Sequence, residues 1–120
     1  PVFAVYACKL SMEWLKSIGG IKEIEKRNRL KAKKLYDEID NNELFKGFAA
    51  VEDRSIMNVT FNLTDESNKS IFDEISLKKN ISGINGHRSV GGYRASIYNA
   101  LSLESVETLV DAMKQFEKNI

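Results

Sequence analysis

Met57-Asn58-Val59-Thr60-Phe61-Asn62-Leu63 alternates without a break between apolar and polar side chains. A two-residue period is that of a strand, with Met57, Val59, Phe61 and Leu63 on one face and Asn58, Thr60 and Asn62 on the other. An apolar face must be covered, whereas the polar face can meet water. That combination points to a small antiparallel sheet with helices packed on one side. Tyr93, Ala95 and Ile97 alternate in the same way with Arg94, Ser96 and Tyr98, a second strand of about six residues. Phe45 to Ala50, behind the turn signal Asp40-Asn41-Asn42, is a third, shorter candidate.

The flanking segments carry helical periods. Residues 1–18 place Val2, Tyr6, Leu10, Trp14 and Ile18 on one stripe, with Pro1 in the first turn and Gly19-Gly20 as the stop. From Gly20 to Asp40 the positions Ile21, Ile24, Asn28, Ala32, Leu35 and Ile39 form an inward face. The basic residues between Lys22 and Lys34 read as its solvated side. Thr64 is placed to cap a helix reaching Lys79, with Ile71, Phe72 and Ile75 inward. Ser102 caps the last helix, whose buried stripe is Val106, Leu109, Val110, Met113 and Phe116. The fold class is therefore α+β, with two to four strands.

The chain has 120 residues, one domain's worth, and a formal net charge of +1. That balance gives no reason to expect nucleic acid or an anionic membrane as a partner. No apolar run is long enough for a membrane helix and no signal-peptide pattern opens the chain, so the expectation is a soluble, cytoplasmic protein. One cysteine and one histidine exclude a disulfide framework and give no metal-ligand cluster, so no metal is expected. Cys8, among Val5, Tyr6 and Leu10, reads as a small buried hydrophobe.

Chemistry is concentrated in one place. Between Ile75 and Leu103 there is no acidic residue, and within that stretch lies Gly86-His87-Arg88-Ser89-Val90-Gly91-Gly92-Tyr93-Arg94. Its glycines permit positive φ and a close approach of backbone to ligand. Its two guanidiniums offer planar donor forks suited to carboxylate or phosphate. Arg88 and Arg94, separated by the Gly-Gly turn, would suit a substrate with two anionic groups, and His87 adds a further donor. No partner that would make His87 a catalytic base is visible. Read from spacing alone, this is an anion-binding α+β domain.

The same residues, continued through Ala95-Ser96-Ile97-Tyr98-Asn99-Ala100, strongly resemble the C-terminal signature of the phosphoserine aminotransferase family, pyridoxal-phosphate enzymes of serine biosynthesis. Glu13-Trp14-Leu15-Lys16, Gly19-Gly20, Glu25-Lys26-Arg27-Asn28, Lys33 to Asp40 and Asp53-Arg54-Ser55-Ile56-Met57-Asn58-Val59 are similar to that family in the same order. The likeness is weakest between Asn62 and Gly83. Tyr93 stands where methionine is frequent in the family, and Thr60 where proline is frequent.

The resemblance implies a fold-type I aminotransferase, a homodimer whose large domain binds pyridoxal 5'-phosphate and whose small C-terminal domain closes over the substrate. On that reading residues 1–19 are the helix leading out of an absent large domain, and residues 20–120 are the small domain. Arg94 matches the family arginine for the substrate α-carboxylate; His87 and Arg88 match the pair for the phosphate or distal carboxylate. The implied substrates are O-phospho-L-serine and glutamate, exchanged with 3-phosphohydroxypyruvate and 2-oxoglutarate. Some members also act in pyridoxine biosynthesis. No residue of this chain matches the family's Schiff-base lysine or its other cofactor contacts, so the piece alone should be inactive, with neither catalytic nor cofactor-binding residues. Two other readings stay open: a freestanding anion-binding regulatory module, and the small domain of another fold-type I aminotransferase.

Overall fold

The computed structural model describes residues 1–120. Two long helices come first, α1 (Val2–Ser17) and α2 (Gly20–Asn41), followed by β1 (Phe45–Gly47), β2 (Asn58–Leu63), α3 (Lys69–Lys78), β3 (Tyr93–Ser96) and α4 (Leu103–Asn119). The strands form one antiparallel sheet in the order β1-β2-β3. Phe45 pairs with Leu63 on one side of the central strand, and Thr60 with Arg94 on the other. No helix is long and apolar enough to cross a membrane.

Alternation along β2 does what its period requires. Val59, Phe61 and Leu63 are buried, while Asn58, Thr60 and Asn62 lie half-buried on the opposite face. The buried face is covered by α2, α3 and α4 through Leu35, Ile39, Phe72, Ile75, Val106, Leu109, Met113 and Phe116. Phe72 sits at the centre of an aromatic cluster, its ring centroid 5.2 Å from Phe45, 5.1 Å from Tyr93 and 5.4 Å from Phe116.

Several boundaries differ from the sequence-based expectation. Strand β1 stops at Gly47, although Phe48 N–H still donates to Thr60 O, because the chain then turns into a single 3₁₀ turn at Val51–Asp53. Thr64 does not cap α3. Its N–H donates to Leu44 O and its hydroxyl to Glu43 O, so it prolongs the sheet, and Asp65 instead caps the short 3₁₀ turn Glu66–Asn68 that precedes α3. Ile71 faces outward at 38% exposure, the inward positions being Phe72, Ile75 and Ser76. Strand β3 is shorter than six residues, though Ile97 N–H still reaches Met57 O.

Helix α1 buries none of its residues. Val2, Phe3, Val5, Tyr6 and Met12 are all more than half exposed, and Cys8 is exposed rather than buried because nothing covers its stripe. Gly19, between the helices, and Gly20, the first residue of α2, take φ of 115° and 79°, a backbone course that side-chain-bearing residues seldom take.

The basic run of α2 divides. Arg27 and Arg29 pair with Glu23 and Glu25 one turn back, and Lys33 with Asp37 one turn on. Lys31 is instead buried, its ammonium donating to the carbonyls of Tyr98 at 2.8 Å and Leu101 at 2.9 Å and, at 3.4 Å, to that of Ile97. Burial lowers its pKa, and the carbonyls replace lost water. Lys31→Met, which keeps the stem and removes the donors, is expected to cost about 2 kcal/mol, because the Ile97 carbonyl, buried, and those of Tyr98 and Leu101, partly buried, are left without this partner. The shift of the urea midpoint measures it.

Asp40 and Arg54 tie the end of α2 to the β1–β2 connection through paired bonds of 2.6 and 2.7 Å, with the guanidinium 4.5 Å from the centre of the Tyr36 ring. The hydrogen bonds from Arg54 hold the Asp40 carboxyl below its ordinary pKa. A depressed carboxyl contributes stability above its unfolded pKa and loses it as pH falls through the folded value. The stability difference between wild type and Asp40→Asn should therefore be constant above about pH 5 and vanish as pH drops below about 4. Urea titrations across that range test the sign.

Candidate functional site

The acid-free segment folds as a hairpin on the free edge of β3. Gly86 N–H donates to Gly92 O at 2.8 Å and Arg94 N–H to Ile84 O at 2.6 Å, forming a two-rung stem. The loop between is tightened by Val90 N–H and Gly91 N–H, both donating to His87 O. Here the glycines are required by space. A Cβ on Gly86 would collide with Gly91 O, and one on Gly92, at φ 67°, would collide with Asn62 Oδ1.

Because β3 alternates, Tyr93 points into the core and Arg94 lies on the opposite, polar face of the sheet, across from Thr60. Arg94 and His87 line one shallow cleft of about 190 Å³ with Phe48, Thr60, Asn62, Gly86, Val90, Gly91 and Tyr93. No carboxylate lines it. Arg88 is exposed and is not among the lining residues, so the structure gathers two of the three predicted site residues and leaves the third on the outer side of the loop. Neither Arg88 nor Arg94 makes a salt bridge, although the other three arginines of the chain all do.

Ser89 N–H donates to His87 Nδ1 at 3.2 Å, and the Ser89 hydroxyl lies 2.7 Å from the same nitrogen. Accepting there places the proton of the neutral ring on Nε2, which leaves that N–H as the ring's free donor in a residue that lines the cleft with Arg94. Bare charge-assisted donors on a glycine-lined loop are the components of a site for carboxylate or phosphate.

Thr60, Asn62 and Phe48 were not anticipated as part of the cleft. The alternation of β2 already places Thr60 and Asn62 on the polar face, but only the register Thr60↔Arg94 puts that face beside the arginine. Larger clefts lie elsewhere, one of about 390 Å³ between residues 79–84 and α4 and one of about 590 Å³ between α1 and Tyr98–Ala100. Neither holds an arginine or histidine, and the second is the uncovered side of α1.

The model of the family "Aminotransferase class-V" matches residues 1–109. The phosphoserine aminotransferase of Flavobacterium psychrophilum is 57% identical over 120 residues, which are all of this chain and 34% of that protein. The solved phosphoserine aminotransferase of Bacillus circulans subsp. alkalophilus superposes with a TM-score of 0.93 at 40% identity, over 99% of this chain and 33% of its own. That of Trichomonas vaginalis, described as bound to PLP, gives 0.85 at 37% identity, over 95% of this chain and 33% of its own. The chain thus spans about a third of the length of the curated relatives it matches. With its three-stranded sheet, α1 to α3 and its glycine-rich hairpin all lying inside the matched region, the chain belongs to the class-V aminotransferase family.

Proposed function

We propose that this chain is the small, substrate-clamping domain of a phosphoserine aminotransferase, and that the whole protein moves an amino group between O-phospho-L-serine and 2-oxoglutarate. The observation that carries this reading is Arg94, unpaired and beside His87 in a cleft without carboxylates, in a chain similar along its length to proteins of that name. Arg94 holds the substrate α-carboxylate. His87 and Arg88, on the loop, hold the distal anion. A guanidinium and an imidazole N–H bind phosphate and carboxylate alike, which two substrates taking turns in one site require.

On this reading no lysine of this chain carries pyridoxal phosphate. That cofactor, and the residues that hold it, belong to the other two thirds of the protein. On the same reading α1 leads out of that larger part, and its exposed stripe of Val2, Tyr6 and Leu10 packs against it. The protein works as a cytoplasmic homodimer.

The test is an aminotransferase assay with O-phospho-L-serine and 2-oxoglutarate, run on the full-length protein and on this chain. Activity in the full-length protein alone is expected. Tight binding of a phosphorylated metabolite by the isolated chain, measured by calorimetry, would instead favour a freestanding anion-binding module. A full-length protein that is active only with unphosphorylated amino donors would point to another aminotransferase of the same fold.

A further inference from the structure

The anion loop stands on a stem at the edge of the sheet, where Ile84–Gly86 has only Gly92–Arg94 to pair with. Something else must hold that stem in place. Lys69, the first residue of α3, donates to Asp73 Oδ2 at 2.7 Å, to Tyr93 Oη at 3.2 Å and to Asn85 Oδ1 at 3.4 Å, with its ammonium 4.7 Å from the centre of the Tyr93 ring. Tyr93 Oη in turn donates to Asp73 Oδ1 at 2.6 Å. Asn85 and Tyr93 face each other across the stem. One ammonium therefore reaches both sides of the hairpin, and all three of its N–H donors are used.

The network does more than packing asks. The Tyr93 ring is stacked on Phe61 and edge-on to Phe72, and phenylalanine would fill the same space. The hydroxyl adds direction. Burial, and then the hydrogen bond to Asp73, keep the phenol protonated by raising its pKa. Lys69 and Asp73 are about 40% exposed, where an ion pair adds little to global stability, so the value of the arrangement lies in geometry. Tyr93 is the residue before Arg94, and fixing its ring from the α3 side fixes the strand position from which Arg94 projects on the other face.

We propose that Lys69, Asp73 and Tyr93 are positioning residues that clamp the hairpin stem and so set the separation between the anion held at Arg94 and the anion held by the loop. This rests on the proposed reading of the cleft as the substrate site. A clamp of this kind matters for a ligand that must satisfy both poles at once, and little for a single anion that needs one.

The experiment uses the full-length holoenzyme with Lys69→Met, Tyr93→Phe and Lys69→Arg. Lys69→Met is expected to raise KM for O-phospho-L-serine about tenfold with kcat within about twofold, the effect of roughly one charge-assisted hydrogen bond passed on to substrate binding. Tyr93→Phe should act in the same direction, less strongly. Inhibition by inorganic phosphate should be nearly unchanged, amide hydrogen exchange over residues 84–94 should accelerate, and Lys69→Arg should restore both exchange and KM. Unchanged exchange over 84–94 in Lys69→Met would overturn the clamp whatever the activity. So would a fall in kcat at constant KM, or an equal loss of phosphate and phosphoserine binding. If the wild-type protein fails to transaminate phosphoserine, the functional reading is lost, and the exchange measurement still decides the clamp.

Discussion

Arg94→Ala in the full-length protein is expected to lower kcat/KM for O-phospho-L-serine by roughly two orders of magnitude, the effect of losing a charge-assisted bidentate contact to the substrate carboxylate. Folding should be untouched, because Arg94 is exposed and no carboxylate pairs with it. Its only hydrogen bond to another strand runs through the backbone N–H, which alanine keeps. Arg94→Lys should recover part of the loss, since lysine restores the charge but not the planar fork. Steady-state kinetics with both substrates provide the check, and the loss should appear with 2-oxoglutarate as well, because both substrates carry the same carboxylate. Near-normal kinetics in Arg94→Ala would remove the assignment of this arginine and with it the main support for the cleft as the substrate site.

Phe72→Ala is the substitution expected to damage folding most. The side chain is fully buried and its ring lies between Phe45, Tyr93 and Phe116, with centroid distances of 5.1 to 5.6 Å within that group. Removing it leaves a cavity that several rings on different elements would have to close together. A cost of about 3–5 kcal/mol follows, a large part of the roughly 5–15 kcal/mol that holds a domain together. Ile71→Ala next to it, at a partly exposed position, should cost no more than about 1 kcal/mol. Urea midpoints followed by circular dichroism compare the two, and similar values would mean that Phe72 is not the centre of the core.

The two cases show how differently the residues could be read in advance. Strand β2 and helix α4 are legible because each repeats a single period over its length, and both bury the stripes that period selects except for Met57, which precedes β2 and is half-buried. Thr64 reads as a helix cap because a threonine before a helical pattern has the same local chemistry whether it caps or pairs. Only the presence of Leu44 and Glu43 across the sheet decides between those roles. Lys31 lies in a basic run that reads as solvated, and nothing local distinguishes it from Lys33. Its burial depends on the Tyr98–Leu101 turn, almost seventy residues away, offering carbonyls to it.

For the site, the glycine pattern and the missing acids marked the segment, and the resemblance gave His87, Arg88 and Arg94 their expected roles. Which segments are helix and strand, and which one lacks acidic neighbours for its positive charge, can be read locally, since both follow from side chains within a few residues of one another. Tertiary structure decided that His87 and Arg94 share a cleft with Thr60 and Asn62 while Arg88 stays outside it, and that Lys69 reaches across to Asn85 and Tyr93. Those contacts join residues from separate elements, and they exist only once strand register and helix docking have brought their side chains within hydrogen-bonding distance.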